Sequence, residues 1–438
     1  MKILIISAEV WTEQSNGGNV LSNIFDGFPG EFAQIYCNPG KPNNKICKRY
    51  YQMTDGMVIR NFFSHKPIGQ EFLLEENLSK ENDEIIKSKP INKKFNSFFH
   101  RYRLGIFFAI RNFLWNTSKW KNEKLKAFLD DFKPDIIFAP CYGNVFMLKL
   151  TRFVADYTKK KVISYISDDS YTLKQLRFSP YFWINRFSVR RQLRKTFPYY
   201  SLTYTMTELQ KEQCERDFNA PMSILRKSAI VENVPIKVNI NRPIRLVYAG
   251  GVYLNRWKTL KAIALALKKI NAIEIKAVLD IYTATELSRQ MKKYLNDGQN
   301  IFLHEVVSLE ELKKIYANSD IALHVESFDL KNKLAVRMSF STKIIDCLAS
   351  GCAVLAVCDS KQAGLAYLSK EDAAICIDSL DALPYRLEEI VQNQNILIEY
   401  AQKARNCLEK NHNKERTLER IKKDFQTVYS EINESFTN

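Results

Sequence analysis

Residues 339–357 read SFSTKIIDCLASGCAVLAV. Ile344, Ile345 and Leu348 recur at helical spacing, Ser341 and Thr342 offer an N-cap, and Gly351 offers a C-terminal stop. The apolar run AVLAVC that follows shows no alternation, as a strand buried on both faces requires. A short helix leading into such a strand is the repeating unit of a parallel sheet covered by helices. One residue disagrees with this plain reading. Lys343 stands in the first helical turn, where the helix dipole disfavours a cation by about 0.3–1 kcal/mol. A bound anion at the helix start would reverse that sign. Asp346, three residues on, shares a face with Lys343 and can either accept hydrogen bonds from ligand hydroxyls or pair with the lysine. The stretch alone leaves both readings open.

The same alternation continues upstream. RLVYAG (245–250), a helix over 258–270, IKAVLDIYT (275–283), NIFLHE (300–305) and IALHVES (321–327) form one series, with a Ser308–Glu311 capping box opening the helix before the last strand. KILIIS, an NGGN loop (16–19), DIIFAP (135–140), a helix over 143–158 and KVISYI (161–166) form another. Between them, ENVPIKVNINRPI (232–244) has two prolines and no helical period, and reads as a linker. The 438 residues also exceed the about 100–200 usual for one domain. The expected fold class is therefore α/β, with two doubly wound Rossmann-like domains, residues 1–237 and 238–438, facing a cleft. The polar helical stretch 394–430 is expected to pack back across both.

Composition narrows the function classes. No apolar run approaches the roughly 20 residues of a membrane-spanning helix, and the opening MKILIISAEV lacks a small-residue cleavage site, so it reads as a buried strand rather than a signal peptide. Nine scattered cysteines without a CxxC pair suggest reduced thiols and a cytoplasmic protein. Five isolated histidines give no ligand spacing, so neither a metal nor any other cofactor is expected. Asp168–Asp169 lacks the spacing of a metal-binding acidic motif.

Two glycine pairs follow the first strands of the two series. Gly17–Gly18 lies in a loop where the backbone could approach a ligand, or is simply a tight turn. Gly250–Gly251 precedes Arg256 and Lys258 at the mouth of a helix. That combination suits a diphosphate, although two solvated cations would look the same.

YAGG…RWK, LHVESF and SFSTKIIDCLASGCAVLAV resemble the donor-binding half of family 4 glycosyltransferases of the GT-B fold, and the NGG loop with FKPDIIF resembles their acceptor half. The resemblance spans roughly residues 1–380. It implies a retaining transferase that moves a sugar from a UDP- or GDP-linked donor to a glycan or lipid-linked glycan, as in cell-surface polysaccharide synthesis. The family's Glu-x7-Glu pair puts Asp346 at the second glutamate, a ribose ligand, and Met338 at the first, which is missing. A subgroup with Ser/Thr-Lys at this helix makes Lys343 a diphosphate or sugar contact, with Arg256 and Lys258 as companions. Glu326 is the substitute sugar contact, and Asp168 with Ser167 falls where the family carries a donor-side histidine. The missing glutamate leaves two rivals: a non-catalytic nucleotide-sugar-binding or scaffold protein of the same fold, and a nucleotide-sugar epimerase.

The charge is the remaining signal. Residues 93–126 and 174–207 together carry 15 of the net +17, interleaved with aromatic residues. Such segments suit helices lying in an anionic membrane surface, on the inner face of the membrane. A core-plus-solvated-cation reading competes. Nucleic acid is not expected, because no recognisable binding module accompanies the charge.

Overall fold

A computed structural model describes residues 1–13, 16–74, 105–231 and 235–437. The segment 75–104, which includes the first part of the 93–126 basic stretch, lies outside the described residues.

The apolar runs of the first half become strands because each can be buried on both faces. These are β1 (Lys2–Ser7), β2 (Glu31–Tyr36), β3 (Arg49–Gln52), β4 (Gln70–Leu73), β5 (Ile136–Pro140), β6 (Val162–Ile166), β7 (Tyr200–Thr205) and β8 (Met222–Ile224). They form one sheet in the order β4-β3-β2-β1-β5-β6-β7-β8, parallel except where β4 runs against β3. The second half gives β9 (Ile244–Ala249), β10 (Ala277–Tyr282), β11 (Ile301–His304), β12 (Ile321–Val325), β13 (Ala353–Val357) and β14 (Ile375–Ile377). Their order is β11-β10-β9-β12-β13-β14, with every neighbour parallel. The fold is thus α/β with two doubly wound sheets. In each, the strand order reverses beside the first strand, between β1 and β5 and between β9 and β12. A crevice outside the carboxyl ends of the strands opens at such a reversal.

Local chemistry explains the helix ends. The capping box forms: Ser308 Oγ accepts from the Glu311 backbone at 3.3 Å, and the Glu311 carboxylate accepts from the Ser308 backbone at 2.9 Å. Two helices follow β12, Leu330–Val336 and Lys343–Leu348; the second, which leads into β13, is short and ends before Gly351, whose φ of +79° is a left-handed conformation. Thr342 occupies the N-cap position, but neither it nor Ser341 caps through its side chain as expected, because Thr342 is already in helical conformation. Gly17 and Gly18 correct a second expectation. They form the first turn of the helix Asn16–Phe25 rather than a loop. The reason is packing: a Cβ on Gly18 would lie 1.9 Å from the Thr12 carbonyl oxygen, so only glycine lets this helix start against the loop leaving β1.

The chain passes between the sheets twice, and the two passes touch. The outgoing strand of chain and the return segment bridge at Ala229 and Asn413, with Ala229 N–H donating to His412 O at 2.8 Å and Lys414 N–H to Ala229 O at 3.1 Å. This bridge breaks the polar C-terminal stretch into two helices, Gln394–Asn411 and Lys414–Thr437. The second lies on the first sheet, where Phe425 meets Phe25, Phe28 and Phe138 with ring centroids 5.2–6.2 Å apart. At the crossing, His412 is fully buried, with Nδ1 3.1 Å from Lys227 O and Nε2 2.7 Å from the Tyr367 hydroxyl.

Burial pushes the pKa of His412 down to about 4, and that of buried His324 likewise to about 4. Both stay neutral in the folded chain while the unfolded chain protonates them near pH 6.5. Their contribution to stability is therefore present above pH 6.5 and is lost as the pH falls toward 4. Unfolding midpoints in urea are expected to drop over that window. His412→Gln should reduce the proton uptake on unfolding near pH 5 by about one, and an unchanged pH slope in that variant would contradict the assignment.

Candidate functional site

The two strand-order reversals face each other across a cavity of about 670 Å³. From the first half it is lined by Glu9 after β1, Gly17, Tyr142, Ser167 and Asp168 after β6, and by Arg226 and Lys227 after β8. The second half contributes Tyr253, Arg256, His324, Glu326, residues 339–343, Gln362 and Gly364. Of the residues singled out in the sequence, Gly17, Asp168, Arg256, Glu326, Ser341, Thr342 and Lys343 come together here. Gly18, Lys258, Gly250, Gly251 and Asp346 are not in the lining, although Gly250 and Asp346 touch residues that are.

Arg256 and Glu326 form the centre of the second-half wall. Arg256 begins the helix Arg256–Ile270, and Glu326 directly follows β12. Their side chains pair in two parallel bonds, Nε to Oε2 at 2.8 Å and Nη2 to Oε1 at 2.6 Å, both partners being under a tenth exposed. Burial works against the Arg256 charge, yet the bonded carboxylate more than offsets it and raises its pKa. The sequence reading treats these as independent ligands, a cation for the diphosphate and an acid for the sugar. The structure corrects that: each already neutralises the other, and a ligand would share the pair. Lys258 is also corrected, since it sits on the exposed side of the same helix, away from the cavity.

Among the described residues Lys343 has no carboxylate in contact. Its Nζ lies 3.3 Å from the Tyr248 hydroxyl and 5.2 Å from the centroid of that ring. A Cβ on Gly250 would sit 2.1 Å from the same Nζ, and Gly250 has φ +154°, so only glycine allows the lysine to lie across this turn. Burial, with repulsion from Arg256 added, pushes the Lys343 pKa down to about 8. Asp346 does not pair with Lys343. It accepts from Lys227 Nζ at 2.5 Å, because the helix turns Asp346 toward the linker while Lys343 points to Gly250.

The opposite wall supplies a second bond across the cleft. Ser339 Oγ donates to Asp168 Oδ1 at 2.8 Å. Asp169 holds its own loop, accepting from the backbones of Tyr171 and Thr172 at 3.1 and 2.8 Å, and also accepts from Arg337 of the second half at 3.0 Å. Met338, at the position where a sugar-binding glutamate was looked for, is buried, and its carbonyl accepts from Thr207 Oγ1 at 3.0 Å.

Sequence reasoning missed Arg226, Lys227, His324 and Gln362. Arg226 bonds Met206 O through Nε at 2.9 Å and lies over the Tyr367 ring at 4.4 Å, which leaves the outer face of its guanidinium toward the cavity. The pair Arg226-Lys227 next to the linker was a readable signal. His324 and Gln362 lie in apolar runs and gave none. The site therefore gathers four cations around the cavity, of which Arg256 and Lys227 are already paired with Glu326 and Asp346, so Arg226 and Lys343 are the charges most open to an anionic ligand.

Removing one member of the central pair leaves the other buried and unpaired. Glu326→Ala is expected to lower stability by about 3–5 kcal/mol, and the double variant Arg256→Met/Glu326→Leu by less. Urea unfolding of the three chains checks this, and a double variant that loses as much stability as Glu326→Ala or more would show the pair to be uncoupled.

Comparisons with known proteins agree with this arrangement. A family model described as glycosyl transferase-like matches residues 264–423. The structure is similar to sucrose-phosphate synthase from Thermosynechococcus elongatus, with TM-score 0.60 and 13% identity over 98% of this chain and 99% of that one. It is similar to Anabaena HepE in complex with UDP, with TM-score 0.61 and 9% identity over 98% and 100%. It also matches S. aureus TarM, crystallised with Fondaparinux, alpha-GlcNAc-glycerol and UDP, with TM-score 0.52 and 13% identity over 69% of this chain but only 57% of TarM. No curated protein sequence matches significantly. The chain has the GT-B fold of these glycosyltransferases, and its residues 264–423 match the glycosyl transferase-like model.

Proposed function

We propose that the protein is a glycosyltransferase that takes a nucleotide sugar in the cavity between its sheets. The observation that carries this reading is Lys343, uncompensated by any carboxylate in contact and held across Gly250 beside the Arg256–Glu326 pair. The structural likeness to proteins crystallised with UDP and with UDP-glucose adds support for the donor class. The diphosphate would meet Lys343, Arg226 and Lys227, and Arg256 through the charge it shares with Glu326. Asp346 would take the ribose, giving up part of its bond to Lys227. Asp168 and Ser339 face the region left for the sugar and acceptor.

In the proposed reaction the bond from the sugar anomeric carbon to the diphosphate oxygen breaks. The acceptor hydroxyl oxygen bonds to that carbon on the same face, and its proton passes to the departing phosphate oxygen, so configuration is retained. Charge grows on the leaving diphosphate, and Lys343 and Arg226, with the paired Arg256 and Lys227 as further donors, would supply the stabilisation that the transition state demands. The acceptor would be a glycan or lipid-linked glycan used in cell-surface polysaccharide synthesis.

A thermal-shift panel of UDP, GDP, ADP and their sugars tests the donor. One nucleotide is expected to raise the melting temperature, with the shift reduced at least by half in Lys343→Ala. Because an anion would restore the lysine's ordinary pKa, binding near pH 9 should also take up a proton that the variant does not. No shift from any nucleotide would sink the reading. The buried Met338 favours one rival, a binding protein without turnover. Nucleotide binding without release of nucleoside diphosphate in proportion to a glycosylated acceptor would favour it.

A membrane-held acceptor would need the enzyme at the bilayer. The helix Pro180–Thr196 carries Ile184 and Phe187 exposed at 64% and 55%, with Phe178 just before it at 90%. Exposed Phe113 of the helix Gly105–Thr117 adds to the apolar surface of this half. Exposed Lys174, Arg191 and Lys195 flank it. Not every cation of the segment is available: Arg186 bonds Asp169 O at 2.9 Å, and Arg190 stacks on Tyr171 at 4.1 Å. Among the described residues no helix is long and apolar enough to cross a membrane. Reversible docking to an anionic leaflet is proposed, at about 1 kcal/mol per cation. Lys174→Ala/Arg191→Ala/Lys195→Ala should reduce co-sedimentation with phosphatidylserine vesicles by tenfold or more at low salt, and unchanged sedimentation would remove this face.

A further inference from the structure

A second cavity, of about 640 Å³, opens in the first half. It lies at the carboxyl end of β3, between the start of the helix Asp55–Ser64, the segment leading into β4, and the helix Glu123–Phe132. It shares no lining residue with the cleft, yet only the loop after β1 separates them. Glu9 of that loop lines the cleft, while Val10 abuts Gly40 of the second cavity, where a Cβ would stand 2.9 Å from Val10 Cγ1. Both openings therefore lie along the same edge of the first sheet.

Its lining is polar and unbalanced. Gln52 is only 6% exposed, faces the cavity, and its carboxamide has no hydrogen-bond partner among the described residues. Its amide opens into the cavity space, where the hydroxyl of a ligand can bond it. The β3–β4 register sets Gln70 directly opposite, so two carboxamides stand side by side. Arg60, Lys66 and Lys124 line the opening, and none is ion-paired among the described residues; Arg60 makes one side-chain bond, to Gly56 O at 3.4 Å. The carboxylate in the lining, Glu71, is taken by Arg49 at 2.7 Å. Gly69, with φ +105°, lies so close to the wall that a Cβ would be 2.0 Å from the Tyr51 hydroxyl oxygen.

Carboxamides offer the paired donors and acceptors that sugar hydroxyls need, and three unpaired cations select for negative charge. The volume falls within the about 300–1,000 Å³ of small-molecule sites. The geometry points to a binding site here for an anionic saccharide unit, a sugar bearing a carboxylate or a phosphate. On the transferase reading, which this role rests on, it holds an acidic unit of the acceptor remote from the reacting hydroxyl. Its binding chemistry stands apart from that reading.

Calorimetric titration of the full chain without nucleotide separates the two. Trigalacturonate is expected to bind at least tenfold more tightly than maltotriose, a neutral probe of the same length. Arg60→Ala/Lys66→Ala, at exposed positions, should lower trigalacturonate affinity at least tenfold, and Gln52→Leu at least fivefold, with UDP binding unchanged in both. Equal affinity for the two trisaccharides, or unchanged trigalacturonate binding in the exposed double variant, would overturn the site. Inorganic phosphate binding as tightly as trigalacturonate would reduce it to an adventitious anion trap and overturn it too. None of these failures would touch nucleotide binding in the cleft, and failure of nucleotide binding would leave this titration unaffected.

Discussion

The bridge at Ala229 and Asn413 is the constraint on which the rest depends. Each doubly wound sheet could exist without the other, but a site between them needs their carboxyl edges to face each other. Two adjacent passes of chain, joined by backbone hydrogen bonds and by buried His412, fix that relation at one side of the cleft. The Phe425 cluster then clamps the last helix to the first sheet, burying an aromatic side chain worth about 1.5–3 kcal/mol.

Within the cleft, the arrangement of charge is decided by neutralisation at close range. Arg256 and Glu326 satisfy each other, so the strongest cation of the wall contributes a hydrogen-bonded surface more than a net charge. Lys227 and Asp346 repeat the pattern. Lys343 is different, because its immediate neighbours are an aromatic hydroxyl and a glycine turn. An uncompensated, partly buried ammonium beside another cation is held at a cost, and a ligand anion would relieve it. The second cavity follows the same logic on a smaller scale, with cations that have no ion-pair partner among the described residues.

The α/β class and the central strands were legible in the sequence because burial on both faces forces uninterrupted apolar runs, whereas β2, β3, β4, β7, β8 and β14 and the order within each sheet were not. KILIIS, DIIFAP, KVISYI, RLVYAG and AVLAVC all become parallel strands. The anomaly of Lys343 was legible for a related reason: a cation in a first helical turn conflicts with local physics whatever surrounds it. Gly17–Gly18 was misread because a glycine pair signals close approach without saying what approaches. Here it is the protein's own backbone at Thr12.

Pairing was not legible. Arg256 meets Glu326 from 70 residues away, and Lys227 meets Asp346 from 119. Local spacing instead suggested Lys343 with Asp346, which share a helix but not a neighbour. The basic aromatic helix shows the same limit, since its period marks one face without telling which arginines turn inward to Asp169 and Tyr171. Sequence by itself determined the elements and their layering, because those follow from periodicity and backbone hydrogen bonding within a few residues. Only the tertiary structure decided which charges are spent on each other and which remain for a ligand, because Coulomb and hydrogen-bond energies depend on ångström-scale distances between segments remote in the chain.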